Sequence, residues 1–321
     1  MGTLLLGVDG GNTKTHALVT DADGTLLGTG DAGTADIHNA DRPEHALAEI
    51  VRACRVALAS ATTAAADVGA AGFSLAGADY PEDFEFLRNG LRECLGLVRE
   101  PVVVNDAVGA LRCGTDDSVG VAAVLGTYCA VAGRNADGDL FHFGFWPDST
   151  GAFTLGSEAL AAIWRHVLDL GPATSLLDRA LRRWNCTDAD DLLYAFTRIG
   201  GLPASEPGRF ADAVLDEAEA GDSVARGIVR TVGERLGDYA GVCAARTGQA
   251  GRPFPLVLCG GVMRHPSPLL RAAIHERVPE AKPVYPDVEP VVGALLLAAD
   301  SIGARPDRKR LRAASAAVIG D

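Results

Sequence analysis

The sequence has no long uninterrupted run of apolar residues. Apolar residues make up 48% of the 321 residues, but no stretch approaches the roughly 18 in a row that a membrane-spanning helix needs. The first residues, MGTLLLGVDGG, contain neither the charged leading region nor the cleavage site by which a secretory signal peptide is recognised. We therefore expect a cytoplasmic protein that does not cross a membrane.

Positive charge is also scarce. Lysine and arginine together number 29 against 42 aspartates and glutamates, which gives a formal net charge of −13. Proteins that bind nucleic acid or anionic membranes concentrate basic residues on one face, and the sequence shows no such patch. We expect neither nucleic acid nor a membrane as a partner.

The cysteines form no recognisable site. The seven cysteines, at positions 54, 94, 113, 129, 186, 243 and 259, include no C-x-x-C pair and no metal-like cluster with histidine. Zinc and iron–sulfur sites use ligands at such short spacings. Scattered thiols of this kind are typical of buried cysteines in a reducing compartment.

Familiar phosphate-binding and nucleophile motifs are missing or incomplete. The sequence contains no Walker A lysine motif and no G-x-S-x-G elbow. GTGDAG, residues 28–33, matches the G-x-G-x-x-G dinucleotide fingerprint, but the next predicted helix starts only at Pro43. Because that fingerprint needs strand, turn and helix in immediate succession, we reject a Rossmann site here.

One strand plan is present twice. LLLGVD, KTHALVT and TLLG predict a three-stranded meander with turns at GGNT and DADG; VGVAAVLG, AVAGRN and DLFHFG repeat it with turns at GTYC and NADG. Short polar turns between apolar runs predict antiparallel neighbours. A recurrence at long spacing favours two domains of like topology, and two unrelated meanders are the alternative.

The rest of the chain alternates strands with helices, which predicts an α/β fold. The segments from Asp41 to Glu44 and from Asp79 to Glu82 each have the form of a capping box with a proline in the first turn, so both predict helix starts. The domains we expect are residues 1–116, residues 117–300 with a helical insertion, and a solvated polar tail over 301–321.

DGGNTKT, residues 9–15, lies at the first hairpin. Consecutive glycines in a turn direct several backbone N–H groups toward one point, which forms a nest for phosphate oxygens. Thr13 and Lys14 can add a hydroxyl group and a positive charge, and Asp9 can hold a magnesium ion through water. An ordinary hairpin turn is the alternative interpretation.

Further glycine turns and one aspartate occur where a cleft between two domains would form. GTYC (126–129) is the equivalent hairpin of the second half, and CGGVMR (259–264) ends a buried strand where a purine could lie on bare backbone. PVVGALLLA (290–298) places Gly293 on a helix that could face the same nucleotide. Asp106 follows the buried strand of VVVNDAVGAL, as either a helix cap or a general base.

Taken in order, these segments resemble a known family. GVDGGNTKTHALVTDADGTLLG, GFSLAGAD, VVVNDAVGAL, VAAVLGTYCAVAGRNADG, LCGGVMR and PVVGALLLA are similar to motifs of the N-acetylglucosamine kinases and the related BadF/BadG/BcrA/BcrD ATPases, within the actin-like ATPase superfamily. The resemblance implies two ribonuclease-H-like domains that face each other across a nucleotide and substrate cleft. It also implies ATP as cofactor, Mg²⁺ near Asp9, and Asp106 as the base toward a sugar hydroxyl.

The resemblance supplies the candidate site residues. For nucleotide and phosphate they are Gly10, Gly11, Asn12, Thr13, Lys14, Gly126, Thr127, Gly260, Gly261 and Gly293. For the sugar they are Asp36, Asn105, Asp106, Trp146 and Asp148.

The sequence departs from the family pattern in three places. Tyr128 replaces a glycine in the second phosphate turn, where it could crowd the phosphate or force a different turn. The sugar loop is shortened to FGFWPDSTGAF, which keeps the tryptophan and the aspartate named above. Where the family offers an asparagine after the first meander, Asp36 is the nearest candidate, and His38 or Asn39 could replace it.

The sequence therefore favours an ATP-dependent kinase that phosphorylates a hydroxyl group of an amino sugar or N-acetylhexosamine, and we expect a homodimer. A nucleotide-binding sensor or partner protein with lost kinase activity is the alternative; Tyr128 favours it, whereas the retained Asp9 and Asp106 oppose it. An ATPase that energises a reductase would need interface cysteines for a cluster, which the scattered cysteines do not offer.

Overall fold

The computed structural model, which describes residues 2–143 and 150–319, begins with a five-stranded sheet. Its elements are β1 (Leu4–Gly10), β2 (Thr15–Asp21), β3 (Leu26–Ala32), α1 (Pro43–Ser60), β4 (Val68–Leu75), α2 (Pro81–Leu95), β5 (Val102–Asn105) and α3 (Asp106–Gly114). The strand order is β3-β2-β1-β4-β5. Strands β1, β2 and β3 pair antiparallel, and β4 and β5 join β1 in parallel.

A second five-stranded sheet repeats this arrangement. The elements of the second half are β6 (Gly120–Leu125), β7 (Cys129–Arg134), β8 (Leu140–Phe143), α4 (Ala152–Val167), α5 (Leu176–Trp184), α6 (Ala189–Thr197), α7 (Ala211–Ala220), α8 (Ser223–Arg246), β9 (Phe254–Cys259), α9 (Pro268–Arg277), β10 (Ala281–Val284), α10 (Pro290–Ser301) and α11 (Arg308–Ile319). The order β8-β7-β6-β9-β10 has the same strand directions as the first sheet. The α/β fold and the repeat predicted from the sequence are thus confirmed.

Helices α4 to α8 lie between β8 and β9; that they form an insertion in a second domain stays a prediction. Their apolar faces share one core with the second sheet, in which Leu155, Phe210 and Leu236 are fully buried beside Val121. Membrane crossing would need a helix that is both long and apolar, and the described helices include none.

The glycines of GTGDAG serve packing. On β3, a Cβ at Gly28 would overlap the carbonyl oxygen of Ala57 on α1, and a Cβ at Gly30 would overlap that of Ala53. The two glycines therefore let α1 lie directly against the strand, and α1 begins only at Pro43. This geometry agrees with the rejection of a dinucleotide fingerprint.

Helices α3 and α10 cross between the two sheets. Helix α3 contacts β4 and β5 of the first sheet and β6 and β7 of the second, and it packs along α10. At the crossing, a Cβ on Gly293 would overlap the carbonyl oxygen of Gly109. The buried Arg112 of α3 fixes the pair by donating from Nε to Asp300 of α10 at 2.6 Å.

The end of the chain differs from the solvated tail that its charge predicts. Helix α11 packs against the rest of the protein, with Leu311 and Ala314 only 1% exposed. The hydroxyl of Ser315 accepts from the backbone N–H of Glu289 at 2.6 Å, and Arg308 pairs with Asp116 at 2.5 Å. Leu311, Ala314 and Ser315 are buried, whereas Lys309, Arg310 and Arg312 are exposed, so the helix is amphipathic. The boundary after residue 116 stays a prediction, although α10 packs on β1 and β4 of the first half.

The predicted helix starts are right in position, but other residues form the caps. Helix α1 has Arg42 as its N-cap, which makes no side-chain cap bond among the described residues. At α2, the carboxylate of Asp83 accepts from the backbone N–H groups of Asp79 at 3.2 Å and Tyr80 at 2.8 Å. The capping box predicted from Asp79 to Glu82 is therefore wrong by one residue, since it runs from Tyr80 to Asp83. The carboxylate of Asp79 is left for another role.

Candidate active site

The turn between β1 and β2 forms one wall of a cleft between the two sheets. The N–H of Gly11 donates to the carbonyl oxygen of Lys14 at 2.9 Å and closes the turn. The carbonyl oxygen of Gly11 accepts from the N–H of Ala35 at 3.0 Å, so the following loop supports the turn. Asn12 and Thr13 lie at the tip and border the cleft, an arrangement that fits the predicted phosphate nest.

The turn between β6 and β7 has the equivalent position in the second half. The N–H of Gly126 donates to the carbonyl oxygen of Tyr128 at 3.0 Å, and the carbonyl oxygen of Gly126 accepts from Ala152 at 2.9 Å. These bonds match those of the first turn with one residue fewer. The ring of Tyr128 packs on Phe153, with centroids 5.7 Å apart, and the β6–β7 hairpin remains intact.

The cleft between the two turns has a volume of about 1190 Å³. A pocket for one small molecule typically measures ~300–1,000 Å³, so this cleft has room for a nucleotide and part of a second ligand. At one end, the guanidinium carbon of Arg271 lies 4.4 Å from the centre of the Tyr285 ring. The Nε of Arg271 is buried and has no partner in the described part of the chain.

Gly260 and Gly261 bring bare backbone to this cleft. Gly260 has a φ of +101°, and a Cβ there would lie 2.6 Å from the carbonyl oxygen of Leu125, so the position requires glycine. A Cβ on Gly261 would meet no described atom within 4 Å. The second glycine therefore faces open cleft space, which fits the flat slot predicted for a purine.

Carboxylates cluster below the first turn. Burial, together with the nearby charges of Asp106 and Glu289, raises the pKa of Asp9 to about 8, although the charge of Lys14 opposes this shift. Glu289 pairs with Arg264 at 2.5 Å, whereas the charge of Lys14 only partly offsets the raised pKa of Asp9. Because Mg²⁺ prefers oxygen ligands and is often bound through one or two carboxylates, Asp9 and Glu289 fit a magnesium site on chemical grounds.

Asn105, not Asp106, caps helix α3. The side-chain oxygen of Asn105 accepts from the N–H of Ala107 at 3.0 Å. The cap interpretation of Asp106 is therefore wrong, because the helix begins one residue earlier than that role requires. Oδ1 of Asp106 is instead buried without a hydrogen-bond partner among the described residues. Burial, together with the negative charge of Asp79, raises the pKa of Asp106 to about 7.

Asp79 lies beside this carboxylate. The amide nitrogen of Asn105 donates to Oδ1 of Asp79 at 2.9 Å, so one asparagine caps α3 and holds Asp79 in place. Burial raises the pKa of Asp79 to about 6; the charge of His38 lowers it, and that of Asp36 raises it. The two half-buried carboxylates, Asp79 and Asp106, thus share one electrostatic environment.

Comparison with known proteins identifies the family of this architecture. The sequence model of the BadF/BadG/BcrA/BcrD ATPase family matches residues 6–298. The chain belongs to this family. Its members are ATPases by name, which agrees with a nucleotide cleft between two glycine turns.

Individual relatives match this BadF/BadG/BcrA/BcrD ATPase over nearly its whole length. The N-acetyl-D-glucosamine kinase of Dictyostelium discoideum is 27% identical over 93% of this chain and 98% of its own. The N-acetylmuramic acid/N-acetylglucosamine kinase of Clostridium acetobutylicum is 24% identical over 92% and 97%. A solved Chromobacterium violaceum structure, provisionally named an N-acetylglucosamine kinase, has a TM-score of 0.71 at 22% identity over 92% and 99%. The fold is that of the two-domain actin-like ATPases, as predicted.

Most residues predicted for the nucleotide in this family member border one cleft, together with those predicted for the metal ion and for catalysis. They are Asp9, Gly10, Gly11, Asn12, Thr13, Lys14, Asp106, Gly126, Thr127, Gly260 and Gly261. Gly293 is not among the described residues that line it, because it is needed where α10 crosses α3. Asp36 and Asn105 adjoin Asp79 beside the cleft. Trp146 and Asp148 lie outside the described residues.

Three parts of the site were not predicted. Asp79 was assigned to a helix cap, although it follows the buried strand β4, which ends at Leu75, at a distance of four residues. Glu289 directly precedes α10, where the proline of PVVGALLLA marks the helix start but does not indicate a cleft wall. Arg271 and Tyr285 are separated in sequence and meet only through packing. For Asp79, the position after a buried strand was the usable signal.

Proposed function

We propose that this protein is an ATP-dependent kinase that phosphorylates a hydroxyl group of N-acetylglucosamine or a closely related amino sugar. The observation that carries the proposal is the buried, unpaired Oδ1 of Asp106 at a cleft bordered by two glycine turns. Two kinases of N-acetylated amino sugars that match over more than nine-tenths of the chain support this substrate class.

Asp106 acts as the general base. Its carboxylate has an oxygen free to accept the proton of a substrate hydroxyl. A pKa of about 7 gives the base both a large ionised fraction near neutral pH and enough basicity to take a proton as the oxygen–phosphorus bond forms. Asn105 holds the start of α3, and therefore the backbone of Asp106, in a fixed position.

The glycine turns position the transferring phosphate. Phosphoryl transfer requires alignment and charge neutralisation more than covalent catalysis. The first turn offers backbone N–H groups with Lys14, the second offers Gly126 and Thr127, and the two face each other across the cleft. Gly261 leaves room for the base of the nucleotide, and Arg271 with Tyr285 bounds the same space.

Asp9 and Glu289 are the residues that would hold Mg²⁺. Bound there, the ion would neutralise phosphate charge. The raised pKa of Asp9 reflects burial and the charges of Asp106 and Glu289, and a cation at this point would offset both. Lys14 supplies a further positive charge at the same turn.

The test is a phosphorylation assay with a sugar panel. The purified protein is incubated with ATP and Mg²⁺ and with N-acetylglucosamine, glucosamine, N-acetylmuramic acid or glucose, and the sugar phosphate is measured by mass spectrometry. We expect sugar-dependent ADP release with one phosphate added to an amino sugar. ATP binding without any phosphorylated product would contradict the proposal and favour the sensor that Tyr128 suggests.

The assembly state follows from the same proposal. We propose a homodimer in the cytoplasm, as we expected from the sequence. Sedimentation equilibrium of the full chain checks the first point, and a mass near that of one 33.2 kDa chain at micromolar concentration would contradict it.

A further inference from the structure

A chain of side-chain hydrogen bonds connects the loop after β3 to the first phosphate turn. The Nδ2 group of Asn39 donates to Oδ2 of Asp36 at 2.7 Å and to Oδ1 of Asn12 at 2.6 Å. The other oxygen of Asp36 accepts from the backbone N–H groups of His38 at 2.9 Å and Asn39 at 3.3 Å. The chain therefore starts at a carboxylate that is only 6% exposed and ends at the cleft, which Asn12 borders.

The chemistry of these groups fixes which of them donates and which accepts in each hydrogen bond of the series. An ionised carboxylate can only accept hydrogen bonds, whereas a side-chain amide can donate through nitrogen or accept through oxygen. Asp36 therefore forces Asn39 to turn its nitrogen inward. That nitrogen in turn forces Asn12 to present its oxygen to Asn39, which leaves the amide nitrogen of Asn12 available. Within the described part of the chain, this nitrogen donates to no protein acceptor.

We infer that Asp36 is a positioning residue for the phosphate turn: through Asn39 it orients the amide of Asn12 so that its N–H donors face the phosphates. The inference rests on the proposed nucleotide site. It assigns Asp36 a role at a distance, because Asp36 itself is not among the described residues that line the nucleotide cleft. The loop that carries the sugar-binding candidates is thereby linked to the turn that holds the phosphates.

Asp36→Asn tests the direction of these hydrogen bonds and leaves the shape of the side chain almost unchanged. The oxygen of the new amide keeps the bonds from the two backbone N–H groups, so its nitrogen must take the place of Oδ2 and oppose the nitrogen of Asn39. The conflict is relieved only if Asn39 and then Asn12 rotate. Asn12 would then present an oxygen to the phosphates, which repels them.

The measurement is calorimetric titration, without sugar, of a non-hydrolysable ATP analogue and of adenosine. Because hydrogen bonds to charged groups are worth ~1.5–3 kcal/mol, we expect Asp36→Asn to weaken the triphosphate analogue about ten- to a hundredfold and to leave adenosine unchanged. If Asp36 had a merely structural role, the substitution would lower the affinity for both ligands. A direct sugar contact would weaken neither in the absence of sugar.

Asn39→Ala provides the second, independent arm. The side chain of Asn39 is exposed, so its removal leaves the core intact and interrupts the chain in the middle. Alone, Asn39→Ala should lower the affinity for the ATP analogue only about twofold, since the amide of Asn12 can then adopt either orientation. In the Asn39→Ala background, Asp36→Asn should have no further effect. Additive losses would overturn the inference.

Asp41→Asn is the matched control, because it removes the same charge from an exposed position in the same loop. It should not change either affinity. If the wild-type protein binds the analogue and Asp36→Asn binds it equally well, the inference fails while the proposed function stands. If the wild-type protein does not bind the analogue, both fail.

Discussion

Asn105 donates a hydrogen bond to Asp79 at 2.9 Å with its amide nitrogen, while its oxygen caps helix α3. One side chain therefore fixes the start of the helix and the orientation of a carboxylate beside Asp106. Asn105 caps α3 and Asp83 accepts from the backbone at the start of α2, so neither Asp106 nor Asp79 is needed as a cap.

This division of roles predicts that substitutions at these two neighbouring positions change the free energy of unfolding by different amounts. Asn105→Ala should lower the free energy of unfolding by about 1 kcal/mol, the usual value of an N-cap. Asp106→Ala should cost less, because the N-cap bond from the N–H of Ala107 is accepted by Asn105. Urea denaturation of both variants at the same pH provides the comparison. If Asp106→Ala lowered the free energy of unfolding as much as Asn105→Ala does, Asp106 would have to be counted as a cap of α3.

The raised pKa of Asp106 predicts the pH dependence of activity. Burial and the charge of Asp79 raise that pKa from 3.8 to about 7, and the base must be ionised to act. We therefore expect kcat/KM for the sugar to fall as the pH decreases through about 7. Asp79→Asn removes the largest charge that raises this pKa, so the acid limb of its profile should move to lower pH. An unmoved limb would assign it to another group.

The same pKa predicts how stability depends on pH. The pKa of Asp106 is about 7 in the folded protein and 3.8 as an ordinary aspartate, so between these values the folded state holds a proton that the unfolded state has released. The stability that this proton provides is lost as the pH rises through 7. In metal-free protein, Asp106→Asn should therefore raise the melting temperature, relative to wild type, more at about pH 8 than at about pH 4. An equal or reversed difference would contradict the raised pKa.

The paired glycines predict two different failures. Gly261→Val should fold normally and bind an ATP analogue weakly, because its side chain would extend into open cleft space. Gly260→Val should destabilise the protein itself, since φ is +101° and a Cβ would lie 2.6 Å from the Leu125 carbonyl oxygen. Melting temperature and analogue affinity of both variants separate the two effects. Normal nucleotide affinity in Gly261→Val would contradict the purine slot.

The strand plan was predictable because it rests on local patterns. Apolar runs of strand length and polar turns recur in both halves, and the two sheets formed from them have the same order. Asp106 was predictable for a similar reason, since a carboxylate that directly follows a buried strand must lie at the edge of the sheet. The choice between Asn105 and Asp106 as cap was not, because both residue types cap equally well and only the exact helix start decides.

Gly293 and the end of the chain depend on packing that the sequence does not display. A glycine on a helix is compatible with a nearby ligand or with a close helix crossing, and only the position of α3 shows the second. In α11, the dense positive charge led to the prediction of a solvated tail. Leu311 and Ala314, however, are three residues apart and share a buried face. Glu289 joins the site from a distant segment, and no local pattern in its sequence indicates a cleft wall.

The measurement that tests the central claim most directly is the activity of Asp106→Asn. The substitution keeps the size of the side chain and leaves the cap at Asn105 intact, but it removes the proton acceptor. Loss of a general base typically slows a reaction by ~10²–10⁴-fold, so kcat for sugar phosphorylation should fall by that factor, with the affinity for the ATP analogue and the fold retained. Near-wild-type kcat in Asp106→Asn would contradict the account.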